Sequence, residues 1–194
     1  FFYNKLTNIL EVSGNVKYLD KIKNTVITAD KATYLKDEEI IFTNGNSKAI
    51  SDKNTIKASK LEYNKFKNIF VAKKNVVISD DEKNTTIYAD KISYLKNEEK
   101  ILTNGKTVAL VSNKYLFNSE NVIYYRNLGD LISQKKSTVD DGSGNIYKLK
   151  SFTYNIYKQL LKGKEVKVLA KVDKNKIDQY FFSEGFFNFK DKSH

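Results

Sequence analysis

The sequence contains no cysteine, no proline, no methionine and no tryptophan, and its single histidine is the last residue, His194. Without cysteine the chain can form neither disulfides nor thiolate metal sites. One terminal histidine cannot build a histidine-based catalytic triad or a multi-histidine metal site. We therefore expect no enzyme, no catalytic residues, no metal and no cofactor. Because proline interrupts sheet hydrogen bonding, its absence agrees with nearly continuous strand pairing.

Long apolar runs are also missing from the 194 residues. No stretch of about 18 consecutive apolar residues occurs, so the sequence predicts no membrane-spanning helix. The chain begins at Phe1 without a recognisable signal peptide. We expect it to be a piece of a longer protein.

The charge is strongly of one sign, with 34 Lys and Arg against 23 Asp and Glu, a formal net charge of +11. A basic domain fits an anionic partner such as nucleic acid, phospholipid or a phosphorylated glycolipid. The abundance of Lys, Asn, Ile, Tyr and Phe together is equally consistent with a solvated surface in a chain of biased composition. The charge alone leaves both interpretations open.

A repeat organises the chain. Residues 27–45 (ITADKATYLKDEEIIFTNG) return almost unchanged at 87–105 (IYADKISYLKNEEKILTNG), sixty positions later. A tyrosine recurs about every 30 residues, at Tyr3, Tyr34, Tyr63, Tyr94, Tyr124 and Tyr154. Regular self-similarity of this length is the mark of a stacked repeat architecture. We predict one domain over residues 1–194, in which each repeat of about 30 residues forms two strands.

Within each repeat the apolar residues alternate as they do in a strand, with one slip. Ile27 and Ala29 share a face, but Ala32 and Tyr34 have the opposite parity. One face stays buried across both pairs only if a β-bulge lies between them, at Asp30-Lys31. Gly45, preceded by Asn44, tolerates a positive φ and predicts a second kink.

The fold class predicted is all-β: a β-jellyroll (β-taco) of about 12–14 stacked, kinked antiparallel strands with open edge strands. Helix is disfavoured, since the apolar columns lack helical spacing. The apolar columns should line one continuous interior. Its predicted lining is Ile27, Ala29, Tyr34, Ile41, Ile56, Leu61, Tyr63, Phe70, Ile78, Ile87, Ala89, Ile92, Tyr94, Ile101, Ala109, Phe117, Val122, Tyr124 and Leu131.

Two interpretations of that interior remain open. It is either a dry core that supports a scaffold, or an apolar trough, open along one seam, that holds acyl chains. Each CH₂ moved from water into such a trough gains about 0.8 kcal/mol, so acyl chains would bind without specific contacts. We take the trough as the hypothesis and the listed columns as its lipid-binding residues.

The repeated words also resemble those of a known family. Ala29-Asp30-Lys31 with Tyr34, Ala89-Asp90-Lys91 with Tyr94, and Gly14-Asn15-Val16 are similar to the OstA/LptA-type repeat of lipopolysaccharide-transport proteins. The resemblance extends over nearly all of the chain and implies a β-jellyroll whose interior carries lipid A acyl chains across the periplasm. The stretches that begin at Asp140 and Leu160 look most like N-terminal periplasmic domains of LptD, the lipopolysaccharide-assembly protein.

That resemblance implies a place and a set of partners. We expect a periplasmic domain attached to the outer membrane through a following β-barrel. The partners expected are lipopolysaccharide, an LptA-type bridge protein docked by edge-strand addition, and the LptD barrel with LptE. A soluble LptA-like bridge is the alternative within the family. Outside it, a basic nucleic-acid-binding protein or a purely structural β-repeat remains possible, although tyrosines placed in apolar columns argue against nucleic acid as a partner.

Overall fold

The structure is a computed structural model that describes residues 1–173 and 176–190. His194, the only histidine, lies outside the described residues. No helix in the described ranges is long and apolar enough to cross a membrane.

Alternating apolar and polar residues form sixteen strand segments. They are β1 (Phe2–Asn4), β2 (Ile9–Asp20), β3 (Thr25–Leu35), β4 (Ile40–Ser51), β5 (Asn54–Asn64), β6 (Ile69–Asp80), β7 (Thr85–Leu95), β8 (Lys100–Val111), β9 (Tyr115–Glu120), β10 (Ile123–Tyr125), β11 (Asp130–Ser133), β12 (Ser137–Asp140), β13 (Ile146–Leu149), β14 (Ser151–Asn155), β15 (Leu160–Lys171) and β16 (Ile177–Asn188). One 3₁₀ turn, Lys96–Glu98, joins β7 to β8.

All pairings between these segments are antiparallel, and all belong to one sheet. Three consecutive couples, β9 with β10, β11 with β12, and β13 with β14, are halves of a strand interrupted at mid-length. Counted whole, the strands number thirteen, so the predicted all-β architecture is confirmed.

A crease crosses the sheet at one level, because bulges recur in successive strands. Register shifts fall between Thr28 and Lys31 in β3, and between Asn44 and Ser47 in β4. Gly45 and Asn46 there have φ of 77° and 45°. Lys31 lies opposite Asn44, so the two kinks predicted within each repeat meet side by side. The slip expected at Asp30-Lys31 and the second kink are therefore confirmed.

Beyond β8 the crease becomes a fork. β8 pairs with β9 above the crease and with β10 below it. The upper branch continues through β12 and β13, the lower one through β11 and β14. Both branches return to the long strand β15. The slip in parity predicts a bulge in every repeat, but in these later repeats, at Glu120-Asn121 and Lys150-Ser151, the strands are interrupted instead.

Two rows of turns border the folded sheet. The tyrosine turns follow the tyrosine column, at residues 5–8, 36–39, 65–68, 96–99, 126–129 and 156–159. The far turns join the other strand ends, at 21–24, 52–53, 81–84, 112–114 and 141–145. Backbone hydrogen bonds run along each row, for example from Arg126 N to Glu99 O at 2.8 Å and from Asp81 N to Lys53 O at 3.1 Å. The line where the two rows face each other is called the seam below.

Candidate functional site

The structure brings the predicted lining residues together in one interior. Seventeen of the nineteen are buried, most with 2% or less of their surface exposed. The other two, Tyr34 and Ala89, are partly buried and pack against the same cluster. The interior also contains residues of the later repeats that were not on the predicted list. Among them are Tyr115, Tyr147, Leu149, Phe152, Tyr154 and Leu161. Whether this interior binds lipid stays a prediction.

Aromatic rings run through the interior from strand to strand. Tyr63 stacks on Phe70 with 4.3 Å between ring centroids, and Phe70 is 6.2 Å from Tyr94. Further along, Phe117 lies 4.9 Å from Tyr154. The rings are in contact, so the interior of this state is filled by the protein's own side chains. Grooves of about 350–400 Å³ lie along the crease, the fork and β16, for example at the crease between Lys31 and Lys73.

At the seam, side chains in or next to the tyrosine turns contact side chains in or next to the far turns, 40–46 residues earlier in the sequence. Tyr94 accepts a hydrogen bond from Asn54 Nδ2 at 3.4 Å, and Tyr124 donates one to Asp80 Oδ2 at 3.3 Å. Tyr115 donates to Gln159 Oε1 at 3.1 Å. The same stagger therefore holds at three successive levels, and the tyrosine hydroxyls lie where the interior meets the seam.

Basic side chains two residues after the tyrosines bridge the seam above these hydroxyls. Lys96 Nζ lies 3.0 Å from Asp52 Oδ2 and donates to the carbonyl of Lys23 at 2.6 Å. Arg126 Nε donates to Asp80 Oδ2 at 2.8 Å. Next along, Lys83 Nζ lies 4.8 Å from the centre of the Tyr157 ring.

The Arg126–Asp80 pair is the most deeply buried of these bridges. The side chains are 7% and 2% exposed, respectively. Arg126 also pairs through Nη1 with Glu99, a neighbour in its own row. A groove of about 280 Å³ opens above the pair and is lined by Asp52, Lys53, Glu82, Lys83, Glu99, Arg126, Asn127 and Tyr157.

Burial and these pairings set the protonation states at the seam. Burial raises the pKa of Tyr63 and of Tyr94 to about 12 each. Burial also raises the pKa of Tyr124, and the negative charge of Asp80 raises it further. Burial by itself would lower the pKa of Arg126, but the hydrogen bond and charge of Asp80 outweigh it and raise that pKa. The Arg126 guanidinium therefore stays charged at neutral pH.

The two ends of the stack leave apolar side chains uncovered. Along β16, Tyr180 and Phe182 face the interior side, opposite Val168 and Val166 of β15, and are 48% and 44% exposed. At the other end, Tyr3 of β1 is 38% exposed. Among the described residues, β16 pairs only with β15, so it is an edge strand of the described sheet.

Sequence reasoning missed the charged side chains of the seam, such as Asp80, Lys96 and Arg126, because it considered charge only as an exposed surface. One signal could have found them. The only arginine of the chain is Arg126, and every other basic side chain among the 34 is lysine. In a chain so biased toward lysine, one arginine marks a place where a planar group with several donors is needed.

Within residues 1–173 and 176–190, no cluster of three or more His, Asp or Glu is placed to hold a metal ion. The column tyrosines Tyr63, Tyr94, Tyr124 and Tyr154 are fully buried. They are therefore not available to stack on nucleic-acid bases.

The chain resembles known proteins only at a distance. No protein-family model matches the chain, and no curated protein matches it. Among solved structures, the chain is similar to the crystal structure of LptH, the LptA-homologous periplasmic component of the lipopolysaccharide transport device of Pseudomonas aeruginosa. The two are 10% identical, the alignment covers 83% of this chain and 96% of that one, and the TM-score is 0.45. A likeness this distant carries no argument about function.

Proposed function

We propose that this chain is a periplasmic carrier domain of lipopolysaccharide transport, which shields lipid A acyl chains in its apolar interior. One observation supports the proposal most directly. The interior is enclosed by backbone hydrogen bonds from strand to strand, but along the seam the two rows of turns meet through side-chain contacts. A wall closed by side chains can open without breaking the sheet.

The size and chemistry of the interior suit acyl chains. It extends across about thirteen strands, or about 60 Å at about 4.8 Å per strand. Its lining combines bulky side chains with small ones, such as Ala49, Ala72 and Ala109. With about 0.8 kcal/mol gained for each CH₂ removed from water, several chains would compensate for displacing aromatic rings from one another.

The ends of the stack supply the docking places for the proposed partners. The free edge of β16 and the exposed Phe181 and Phe186 favour an added strand from a bridge protein of the LptA type. On this proposal the domain passes lipopolysaccharide on to the LptD barrel with LptE at the outer membrane. The soluble bridge is the second form of the same function, and the same geometry supports it.

A photo-cross-linking amino acid at Ile101 tests the carrier function. Ile101 is 1% exposed and faces the interior, whereas its neighbour Leu102 faces the other side of β8. We expect lipopolysaccharide adducts from position 101 in cells, and few from position 102. Ala89, which is partly buried on the same inner face, provides a second position if the bulky group disturbs folding at 101.

Two results would reject the proposal. Equal labelling at 101 and 102 would mean surface contact only, and no adduct at 89 or 101 in a folded protein would mean a dry core. Salt-sensitive binding of a single-stranded oligonucleotide, abolished by changing surface lysines, would favour the nucleic-acid alternative instead.

A further inference from the structure

The filled interior raises the question of how a ligand could enter it. In the state described, Tyr94 and Tyr124 close the inner side of the seam and Lys96 and Arg126 bridge its outer side. Both layers belong to the same few turns. A movement of the tyrosine turns away from the far turns would therefore break both layers together.

Arg126 holds the two rows at the middle of the stack. Its Nε bonds Asp80 across the seam at 2.8 Å, while Nη1 pairs with Glu99 on its own side. Asp80 in turn accepts from Tyr124, so one carboxylate ties the outer bridge to the inner ring. Lys96 makes the corresponding bridge one repeat earlier, to Asp52 at 3.0 Å.

The Arg126–Asp80 and Lys96–Asp52 pairs join the two rows of turns, whereas some other ion pairs of the turns lie within one row. Lys65 occupies the same position after its tyrosine as Lys96 and Arg126, but it pairs with Glu39 at 2.7 Å, within the row of tyrosine turns. Lys65 therefore forms its ion pair within one row, although the charge of Asp20 across the seam also acts on it. It provides a natural control for the two bridging residues.

We propose that the Arg126–Asp80 and Lys96–Asp52 pairs form a latch on the seam, and that acyl chains enter the interior sideways when the latch opens. The inference rests on the proposed function, since a permanently dry core needs no latch. It commits to lateral entry through the seam, whereas the uncovered ends of the stack serve the docking of partners. Charge pairing suits such a role, because an ion pair re-forms without rebuilding any backbone hydrogen bond.

The absence of cysteine makes a direct test possible. Lys53→Cys and Asn127→Cys place two thiols on opposite sides of the seam groove, where a short bismaleimide can bridge them. In the control, Asn97→Cys and Asn127→Cys lie on neighbouring tyrosine turns of one row. We expect the cross-seam bridge to slow uptake of a dansyl-labelled fatty acid about tenfold or more, and the same-row bridge to leave it unchanged.

Uptake that is equally fast in both bridged proteins would overturn the latch and place the route at the ends. If the unbridged protein binds no fatty acid, the proposed function fails, and a measurement without ligand then decides on the latch. Spin labels on Lys53→Cys/Asn127→Cys should report a longer and broader distance distribution after Arg126→Met, but not after Lys65→Met.

An unchanged distribution in a folded Arg126→Met protein would reject the latch regardless of the uptake result. If Arg126→Met does not fold, Lys96→Met, which removes the more exposed pair with Asp52, replaces it in the measurement. A longer and broader distance distribution in that variant supports the latch, and an unchanged one contradicts it.

Discussion

The buried tyrosines of the repeat occupy equivalent positions but differ in what their hydroxyls contact. Tyr124 donates to Asp80 at 3.3 Å, whereas the Tyr154 hydroxyl has no hydrogen-bond partner among the described residues. A buried polar group without a partner costs about 1–3 kcal/mol, and a hydrogen bond to a charged group contributes about as much. The same substitution should therefore have opposite effects at the two positions.

We expect Tyr154→Phe to leave the free energy of unfolding unchanged or to raise it by about 1 kcal/mol, and Tyr124→Phe to lower it by about 1–2 kcal/mol. Urea denaturation of both variants beside the parent protein measures the difference. Equal losses at the two positions would show that ring packing, rather than the hydroxyl, decides.

The raised pKa of Tyr63 and Tyr94, about 12 in each case, predicts a loss of stability in alkali. In the unfolded chain a tyrosine ionises near pH 10, so above that pH the folded state holds protons that the unfolded state has lost. The stability that these two tyrosines contribute is therefore fully present below pH ~10 and decreases until the pH passes about 12. Denaturation followed across this range should show a smaller decline for Tyr94→Phe than for the parent; an equal decline would contradict the prediction.

At the scale of the element, the crease brings like charges into one row. Lys60 lies directly opposite Lys73, and Lys73 opposite Lys91, on three successive strands. None of the three forms an ion pair with another described residue. Like charges directly opposite each other destabilise a sheet, and opposite charges stabilise it, by about 0.2–1 kcal/mol.

Lys73→Glu should therefore raise the free energy of unfolding by about 0.5–1 kcal/mol, an effect that weakens in high salt. Lys158→Glu, in a tyrosine turn away from the row, makes the same change in net charge and serves as the control. Chemical denaturation at low and high salt distinguishes them. A gain of the same size in both variants would mean that only the overall charge matters.

The strands and creases were open to prediction because they depend on neighbours in sequence. The parity change between Ala29 and Ala32 locates a bulge, and repeating it locates the crease. The seam could not be predicted in this way. Folding along the crease joins residues 40–46 positions apart, and this separation cannot be read from a repeat period of about 30. The sequence predicted only bulges at residues 121 and 150, where the strands are in fact interrupted. A slip in parity shows that a strand is irregular, but it does not tell a bulge from an interruption.

For the whole molecule, the seam turns a twisted sheet into an enclosed body. Strand pairing is continuous from β1 to β16, so the sheet would exist without closure. Closure adds contacts between distant turns, in which Arg126 and Asp80 are both withdrawn from water. Breaking such a pair by removing one partner costs about 3–5 kcal/mol, whereas replacing both charges with apolar groups is often neutral or stabilising.

This difference predicts strong coupling across the seam. Asp80→Leu alone and Arg126→Met alone should each lower the free energy of unfolding by about 3–5 kcal/mol, and the double variant should lose much less than either one. A double-mutant cycle by chemical denaturation measures the coupling. Additive losses would mean that the two side chains act independently, each through its own row. Strong coupling would instead show that one buried pair holds the two rows of turns together at this point, so that closure of the seam depends on it.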